Sequence, residues 1–309
     1  MSSRRVLVLG EYGFLGARIS EHLTRRKWDV SGVDRATAGS LAHEGRVNHL
    51  ACVLPSQQLG AFIESRRPEA IVFAAGTSSV AASVENPAAD FQNSVSVLLS
   101  VLETIRTLGA GTKILFLSSA SVYGNQDRLP IREDAKLKPF SPYGYHKVIS
   151  ELLLEEYQHC FGVRSCALRI FSAYGPGLRR QLVWDVSQKT LSEKEVILDG
   201  DGSETRDFIH GDDIARAVEI VLDLAEFGSE KYNLAAGEEV RISELASKLV
   251  RALGLECPIR FTGKHRVGDP HRWQADVTSI RELGFRTAIS LDDGLAGFAN
   301  WVLKQKEPR

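Results

Sequence analysis

The 309-residue chain is short of cysteine, methionine and tryptophan, with four, one and four of them. Cys52, Cys160, Cys166 and Cys257 are scattered, with no CxxC pair and no clustered histidines beside them. That excludes a zinc-ligand signature and a disulfide framework; no metal is expected, and a reducing cytoplasm is the expected compartment. No apolar run approaches the ~20 residues of a spanning helix. The stretch Val6–Leu9 behind Arg4-Arg5 is too short for the apolar core of a signal peptide, so no membrane association is expected. Charge of one sign is lacking as well: Lys plus Arg is 38 and Asp plus Glu is 39, net −1. A general nucleic-acid binder is therefore not expected. Internal repeats and low-complexity linkers are missing too. What remains is 43% hydrophobic and 25% charged, ordinary for a globular chain with one large domain or one domain carrying a smaller lobe.

Short apolar runs alternate with helical patterns through the first half. Val6–Leu9, Trp28–Asp34, Ala70–Ala74, Lys113–Leu117 and Ser165–Phe171 read as strands. A helix follows the first, with Leu15, Ile19 and Leu23 spaced by four, and others are expected near Leu59–Arg66, Asp90–Leu108 and Tyr145–Phe161. Alternation at this spacing predicts a doubly wound parallel α/β sheet with helices on both faces. Beyond Phe171 the pattern turns loop-rich, through Ala173–Leu178 and Asp199–Ser203, and one further helix opens at Ser243 and closes at Gly254. A smaller lobe on the carboxyl edge of the sheet is expected there, with a ligand in the crevice between.

Three motifs carry chemistry. Gly10-Glu-Tyr-Gly13-Phe14-Leu15-Gly16 lies between the first strand and the first helix. Glycines there permit a tight turn and let a pyrophosphate approach backbone N–H groups at a helix start, although the same spacing serves a plain strand–helix turn. Asp34 ends the second strand, where a carboxylate accepts both ribose hydroxyls of an adenosine and repels a 2′-phosphate. NAD is thus favoured; Arg35, able to pair with a phosphate, leaves NADP open. Tyr143-Gly-Tyr-His-Lys147 is the only YxxxK in the chain and follows Ser141-Pro142, a helix start. Its tyrosine and lysine fall one turn apart on one face, where an ammonium is expected to lower the phenol pKa and make a general base for a sugar hydroxyl. Ser118 and Ser119 close the Lys113 strand, where a hydroxyl can address the same oxygen or simply serve a turn.

In this order the motifs resemble the extended short-chain dehydrogenase/reductase family acting on nucleotide-sugars, whose epimerases, dehydratases and reductases include the UDP-glucose 4-epimerases. The resemblance covers nearly the whole chain: the three glycines, Ala74-Ala75-Gly76, Asn93, Ser119–Gly124, Tyr143 with Lys147, Leu168–Phe171, Tyr174–Gly177, Arg206–Asp213, Tyr232–Ala235 and Gly268–Pro270. It implies a Rossmann-like sheet domain over 1–172, with 207–225 returning to it, and a C-terminal α/β substrate lobe over 173–309. It also implies NAD on Gly10, Gly13, Phe14, Leu15, Gly16, Asp34, Arg35, Ala74, Ala75, Gly76 and Asn93, with Tyr143 and Lys147. Tyr143 would be the acid/base, Lys147 would hold the nicotinamide ribose, and Ser119 would position the reacting oxygen. Arg206 and Arg266 would meet the diphosphate of a UDP-, dTDP-, GDP- or CDP-hexose, Asp269 its nucleoside ribose, and Ser172 would stand near the phosphates. A homodimer through the Asp90–Leu108 and Tyr145–Phe161 helices is implied, with Val148, Leu152 and Leu153 as an apolar stripe.

Departures narrow the activity. Ala120 and Ser121 replace the acid and base of the dehydratase branch, so 4,6-dehydration is not expected. Ser172 replaces an Asn of many epimerases, Ser78 a Lys of some, and Cys52 an Asp that meets adenine. The expected activity is C4 epimerisation of a nucleotide-hexose by transient hydride transfer. The alternatives are an NAD(P)H-dependent 4-keto-6-deoxyhexose reductase and a catalytically silent binding protein. His210 is read as structural, and Trp184 and Trp273 as packing residues or sugar-pocket walls.

Overall fold

The computed structural model describes residues 4–35, 48–109, 111–264 and 270–305. Arg266 and Asp269 lie outside the described residues. Among these, a seven-stranded sheet is built from β1 (Arg5–Leu9), β2 (Asp29–Asp34), β3 (His49–Ala51), β4 (Ala70–Phe73), β5 (Lys113–Ser119), β6 (Ser165–Ile170) and a last strand, Gly228–Leu234. The order is β3-β2-β1-β4-β5-β6 and then that last strand, every pairing parallel. In β1, Val6 and Val8 enter one core while Leu7 and Leu9 enter the other. That is why the strand reads as an unbroken apolar run: both faces of the sheet are covered.

One face is covered by α1 (Phe14–Arg25), through Ile19 and Leu23. The other is covered by α2 (Gln58–Arg66), with α3 (Val80–Glu85) and α4 (Pro87–Phe91) following β4, then α5 (Val97–Leu108) and α6 (Pro142–Phe161). The expected single helix over Asp90–Leu108 is instead α4, a π turn over Gln92–Ser96, and α5. The lobe beyond contains β7 (Ser172–Tyr174), α7 (Gln181–Ser192), β8 (Val196–Leu198), β9 (Thr205–Arg206) and β10 (Phe208–His210). α8 (Gly211–Leu224) returns to the sheet beside α1 and leads into the seventh strand, β11. After β12 (Val240–Arg241) come α9 (Ile242–Ala252), β13 (Ile259–Phe261), α10 (Thr278–Glu282) and α11 (Leu291–Lys304).

The returning segment does not stop at 225. β11 pairs with β6, and Ile280 and Phe285 join the core on the α1/α8 face. The sequence Gly228-Ser-Glu-Lys-Tyr-Asn-Leu234 hides this strand because an edge strand needs no continuous apolar run. β3 escapes notice similarly: His49-Leu-Ala51 is short and sits at the opposite edge. The lobe has its own core, from Val186 of α7, Leu245 and Leu249 of α9, and Phe298 and Val302 of α11. No helix among the described residues is long and apolar enough to cross a membrane.

Candidate active site

At the carboxyl end of β1 the chain turns through Gly10, at φ +82°, into α1. A Cβ on Gly10 would stand 2.8 Å from the Ala74 carbonyl oxygen, and one on Gly16 would stand 2.0 Å from the Gly10 oxygen. The turn therefore closes onto the end of β4 only with glycine at these positions. α1 opens at Gly13 with no side-chain cap and no acid in its first turn, the arrangement that suits an anion. Gly13, Phe14, Leu15, Ala74, Ala75 and Gly76 line one end of a cavity of about 900 Å³. Asp34 is fixed at the end of β2, accepting from the Tyr12 amide at 2.9 Å and the Arg35 amide at 2.7 Å. Asn93, in the π turn, brings its backbone oxygen to 3.4 Å from the Cβ position of Gly76.

Sequence reasoning missed Glu11. Its carboxylate is buried and pairs with His49 Nδ1 at 2.9 Å, beneath the turn. A Cβ on Gly32 would overlap it at 1.5 Å, so a glycine inside β2 was the available signal.

Further along the same cavity lie Ser119, Tyr143 and Lys147. Ser141 caps α6 by accepting from the Gly144 amide, Pro142 occupies the first turn, and the Tyr143 amide donates to Ser83 Oγ at 3.1 Å. Lys147, one turn on, is buried and donates to the Leu117 carbonyl at 2.8 Å. Its ammonium is 5.7 Å from the centroid of the Tyr143 ring and 4.6 Å from that of Phe116. The expected lowering of the phenol pKa by Lys147 is corrected here. Burial pushes Tyr143 up, the Ser119 hydroxyl pulls it down by hydrogen bonding, Asp90 pushes it up, and Arg180 pulls it down. The ammonium is turned to Leu117 and not to the phenol oxygen.

Burial also brings Lys147 down to about 8, against the pull of Asp90 and Glu151. Between about 8 and its ordinary 10.5 the unfolded chain holds a proton that the folded protein has released. Stability relative to Lys147→Met should therefore rise with pH across that window in the dinucleotide-free protein. Urea midpoints of both proteins at pH 7.5, below the window, and at pH 10, near its upper end, check this.

Beneath the site runs a buried polar network that the sequence did not disclose. Ser118 Oγ donates to Glu151 Oε1 at 2.5 Å, and Arg169 meets the Glu151 carboxylate with Nη2 at 2.7 Å and Nε at 3.1 Å. Arg169 Nη1 also donates to the Tyr123 hydroxyl at 2.8 Å, which donates to Asn233 Oδ1 at 2.6 Å. The network joins α6, β5, β6 and β11 directly behind Ser119. Arg169 and Asn233 were visible only as parts of a resemblance, and Glu151 as one acid on a helix.

The cavity continues past Ser172, which lines it, to Arg206 and Trp273. The Arg206 guanidinium lies 5.5 Å from the centroid of a Trp273 ring, and Nη1 donates to the Thr205 carbonyl. Its two neighbouring acids are engaged elsewhere: Asp207 accepts the Ala236, Gly237 and Ala275 amides, and Asp212 pairs with Arg18. Trp273 is a cavity wall, its Nε1 donating to the Gly124 carbonyl, whereas Trp184 packs on Trp301. His210 is buried, caps α8 by accepting the Asp212 amide, and packs against Tyr174. Ser78 lines the cavity; Cys52 does not, its amide donating to the Asp34 carbonyl at the edge of the sheet. Among the described residues no His, Cys, Asp and Glu cluster could hold a metal ion.

A glycine turn, a carboxylate closing the second strand, and a serine, tyrosine and lysine in one cavity are thus continuous with an arginine-bearing lobe. Known proteins resemble this chain over nearly its whole length. A UDP-glucuronate 4-epimerase of Thermodesulfobacterium geofontis is 30% identical over 312 residues, covering 96% of this chain and 95% of its own. The crystal structure of UDP-glucose 4-epimerase from Thermotoga maritima with UDP-glucose is 26% identical, TM-score 0.88, covering 98% of this chain and 100% of that one. That of Thermus thermophilus UDP-glucose 4-epimerase with NAD is 26% identical, TM-score 0.87, covering 96% and 98%. A family model matches residues 6–235, from β1 through β11, and so spans every candidate catalytic residue. The chain belongs to the NAD dependent epimerase/dehydratase family.

Proposed function

We propose that the protein is an NAD-dependent C4 epimerase of a nucleotide-linked hexose. The observation that carries this is the single cavity holding Ser119, Tyr143 and Lys147 between the glycine cradle and Arg206. The cradle fits a dinucleotide: a Cβ on Gly10 or Gly16 would strike the Ala74 or Gly10 carbonyl oxygen, and Asp34, at the end of β2, would take its adenosine ribose. Gly10, Gly13, Gly16, Asp34, Arg35, Ala74, Ala75, Gly76 and Asn93 would hold NAD, with Lys147 at the nicotinamide ribose. Bound NAD supplies a hydride acceptor that, once reduced, gives the hydride back. The Tyr143 oxygen takes the proton of the sugar 4-hydroxyl as C4 is oxidised and returns it after the sugar has turned its other face. Ser119 hydrogen-bonds the same oxygen. Arg206 grips the diphosphate with a planar fork, and Ser172 stands near it.

The 4-epimerase relatives support this reading over the reductase. Ala120 and Ser121 offer no acid or base for dehydration. Self-association of the α5 and α6 faces is part of the reading: Leu99 and Leu152 are exposed there. Of the expected stripe only Leu152 is free for it, because Val148 and Leu153 pack within the chain.

The test is a panel of UDP-hexoses and UDP-hexuronates, deuterated at C4 and incubated with purified protein and no added cofactor. At least one C4 pair should be interconverted with deuterium kept at C4, and denaturation should release NAD. Stoichiometric consumption of added NADPH or NADH on a 4-keto-6-deoxy substrate would establish the reductase instead.

A further inference from the structure

The start of α6 is held by the two short helices that follow β4. Thr77 and Ser79 line the cavity beside Gly76, and Ser79 caps α3 by accepting the Ala82 amide. From α3, Ser83 Oγ takes the Tyr143 amide at 3.1 Å. From α4, Asp90 Oδ2 meets His146 Nδ1 at 2.5 Å, and Asp90 Oδ1 accepts the Thr77 hydroxyl. His146 precedes Lys147 in the chain and lies three residues after Tyr143. The Asp90 carboxylate is buried, and the Phe91 ring packs edge-on against His146 with centroids 5.3 Å apart. Asp90 and His146 stand behind the cavity wall, not in it. One carboxylate thus ties the helical turn carrying Tyr143 and Lys147 to the loop lining the dinucleotide end.

We propose that Asp90 is a positioning residue for the reaction, acting through His146 and Thr77 to set Tyr143 and Lys147 against the dinucleotide. The proposal rests on the C4-epimerase reading, in which Tyr143 moves the proton and Lys147 holds the nicotinamide ribose. A buried carboxylate is a costly way to join two elements, and a well-packed apolar contact would hold the fold as well. What the carboxylate adds is direction and charge. An imidazole fixes one oxygen and a hydroxyl the other, so the loop at Thr77 cannot shift without pulling on α6. Its charge also reaches both groups in the site. On Lys147, Asp90 and Glu151 favour the ammonium against burial. On Tyr143, Asp90 favours the neutral phenol, whereas Arg180, at the start of α7, favours the phenolate.

The experiment measures kcat, KM and inhibition by UDP across pH in wild type, Asp90→Asn and Thr77→Val, on a UDP-sugar pair that the wild type interconverts. Asp90→Asn removes the charge and keeps the shape. It should lower kcat on the order of tenfold to a hundredfold, and move both limbs of the pH profile down by about half to one unit. The sign follows from the charge: without Asp90, the Lys147 ammonium and the Tyr143 phenol both release their protons more readily. Inhibition by UDP should stay as in wild type. Thr77→Val keeps the charge and cuts one anchor, so kcat should fall by about threefold to tenfold with the limbs in place. Asp90→Asn with a lower urea midpoint but wild-type kcat and limbs would overturn the proposal and leave Asp90 a purely structural residue. Should Asp90→Asn fail to fold, Thr77→Val decides, and wild-type kcat in it would overturn the proposal. Equilibrium binding of NAD to dinucleotide-free protein keeps the two readings apart. NAD affinity should fall as Lys147 loses its proton, and at lower pH in Asp90→Asn than in wild type. Lys147→Met should lack that fall, and adding Asp90→Asn to it should shift nothing. If no nucleotide-sugar is turned over, the C4-epimerase reading fails, while this comparison still decides Asp90: the same pH dependence in wild type and Asp90→Asn would overturn its role.

Discussion

Replacing Tyr143 with phenylalanine should lower kcat by between about 10² and 10⁴, with little change in the affinity for the nucleotide-sugar. The side chain keeps its ring, so the packing against Lys147 at 5.7 Å survives and only the phenol oxygen is lost. The loss falls on the transition state, because proton transfer at the 4-hydroxyl is needed only as C4 changes oxidation level. Burial pushes this phenol up, and the first group opposing burial is the Ser119 hydroxyl. Ser119→Ala should therefore raise the kinetic pKa of the acidic limb as well as slow turnover. Steady-state kinetics over pH, with equilibrium binding of UDP-sugar to each variant, measure both effects. Turnover by Tyr143→Phe at the wild-type rate would remove the acid/base assignment.

The parts of this site legible in the sequence were those where backbone geometry dictates residue type. Gly10 and Gly16 stand where a Cβ would strike carbonyl oxygens, Pro142 follows a capping serine, and β1 reads as an apolar run because helices cover both faces. Such constraints act over a few residues and leave a local mark. The rest depends on partners far along the chain. Glu151 meets Arg169 only after β6 has paired with β5, and β11 is recognisable only once it lies beside β6. The phenol pKa was misjudged for the same reason. Helical spacing puts Tyr143 and Lys147 on one face, but β5 supplies the Leu117 carbonyl that draws the ammonium away.

The buried pair behind the site should show the largest stability effect. Glu151 and Arg169 are 2% and 3% exposed, and each satisfies the other through two oxygens and two nitrogens. Arg169→Met leaves a carboxylate in the interior with Ser118 as its nearest donor, and Glu151→Leu leaves a guanidinium there with the Tyr123 hydroxyl and the Glu133 carbonyl. Either change should cost about 3–5 kcal/mol, because the orphaned charge is not rehydrated. The double variant Glu151→Leu/Arg169→Met removes both charges and should cost clearly less than the sum, since the two residues form one interacting unit. Urea midpoints of the four proteins, free of dinucleotide, measure the coupling. Turnover divides the outcomes further. Leu117 anchors Lys147 and Ser119 lies two residues beyond it, so the network holds the strand from which both are placed. A double variant near wild-type stability but slow in turnover would mean that the ion pair fixes the position of β5 more than it stabilises the fold. Additive costs for the two single changes would show that the two side chains act separately, and Ser119 would then owe its placement to the β5–β6 pairing alone.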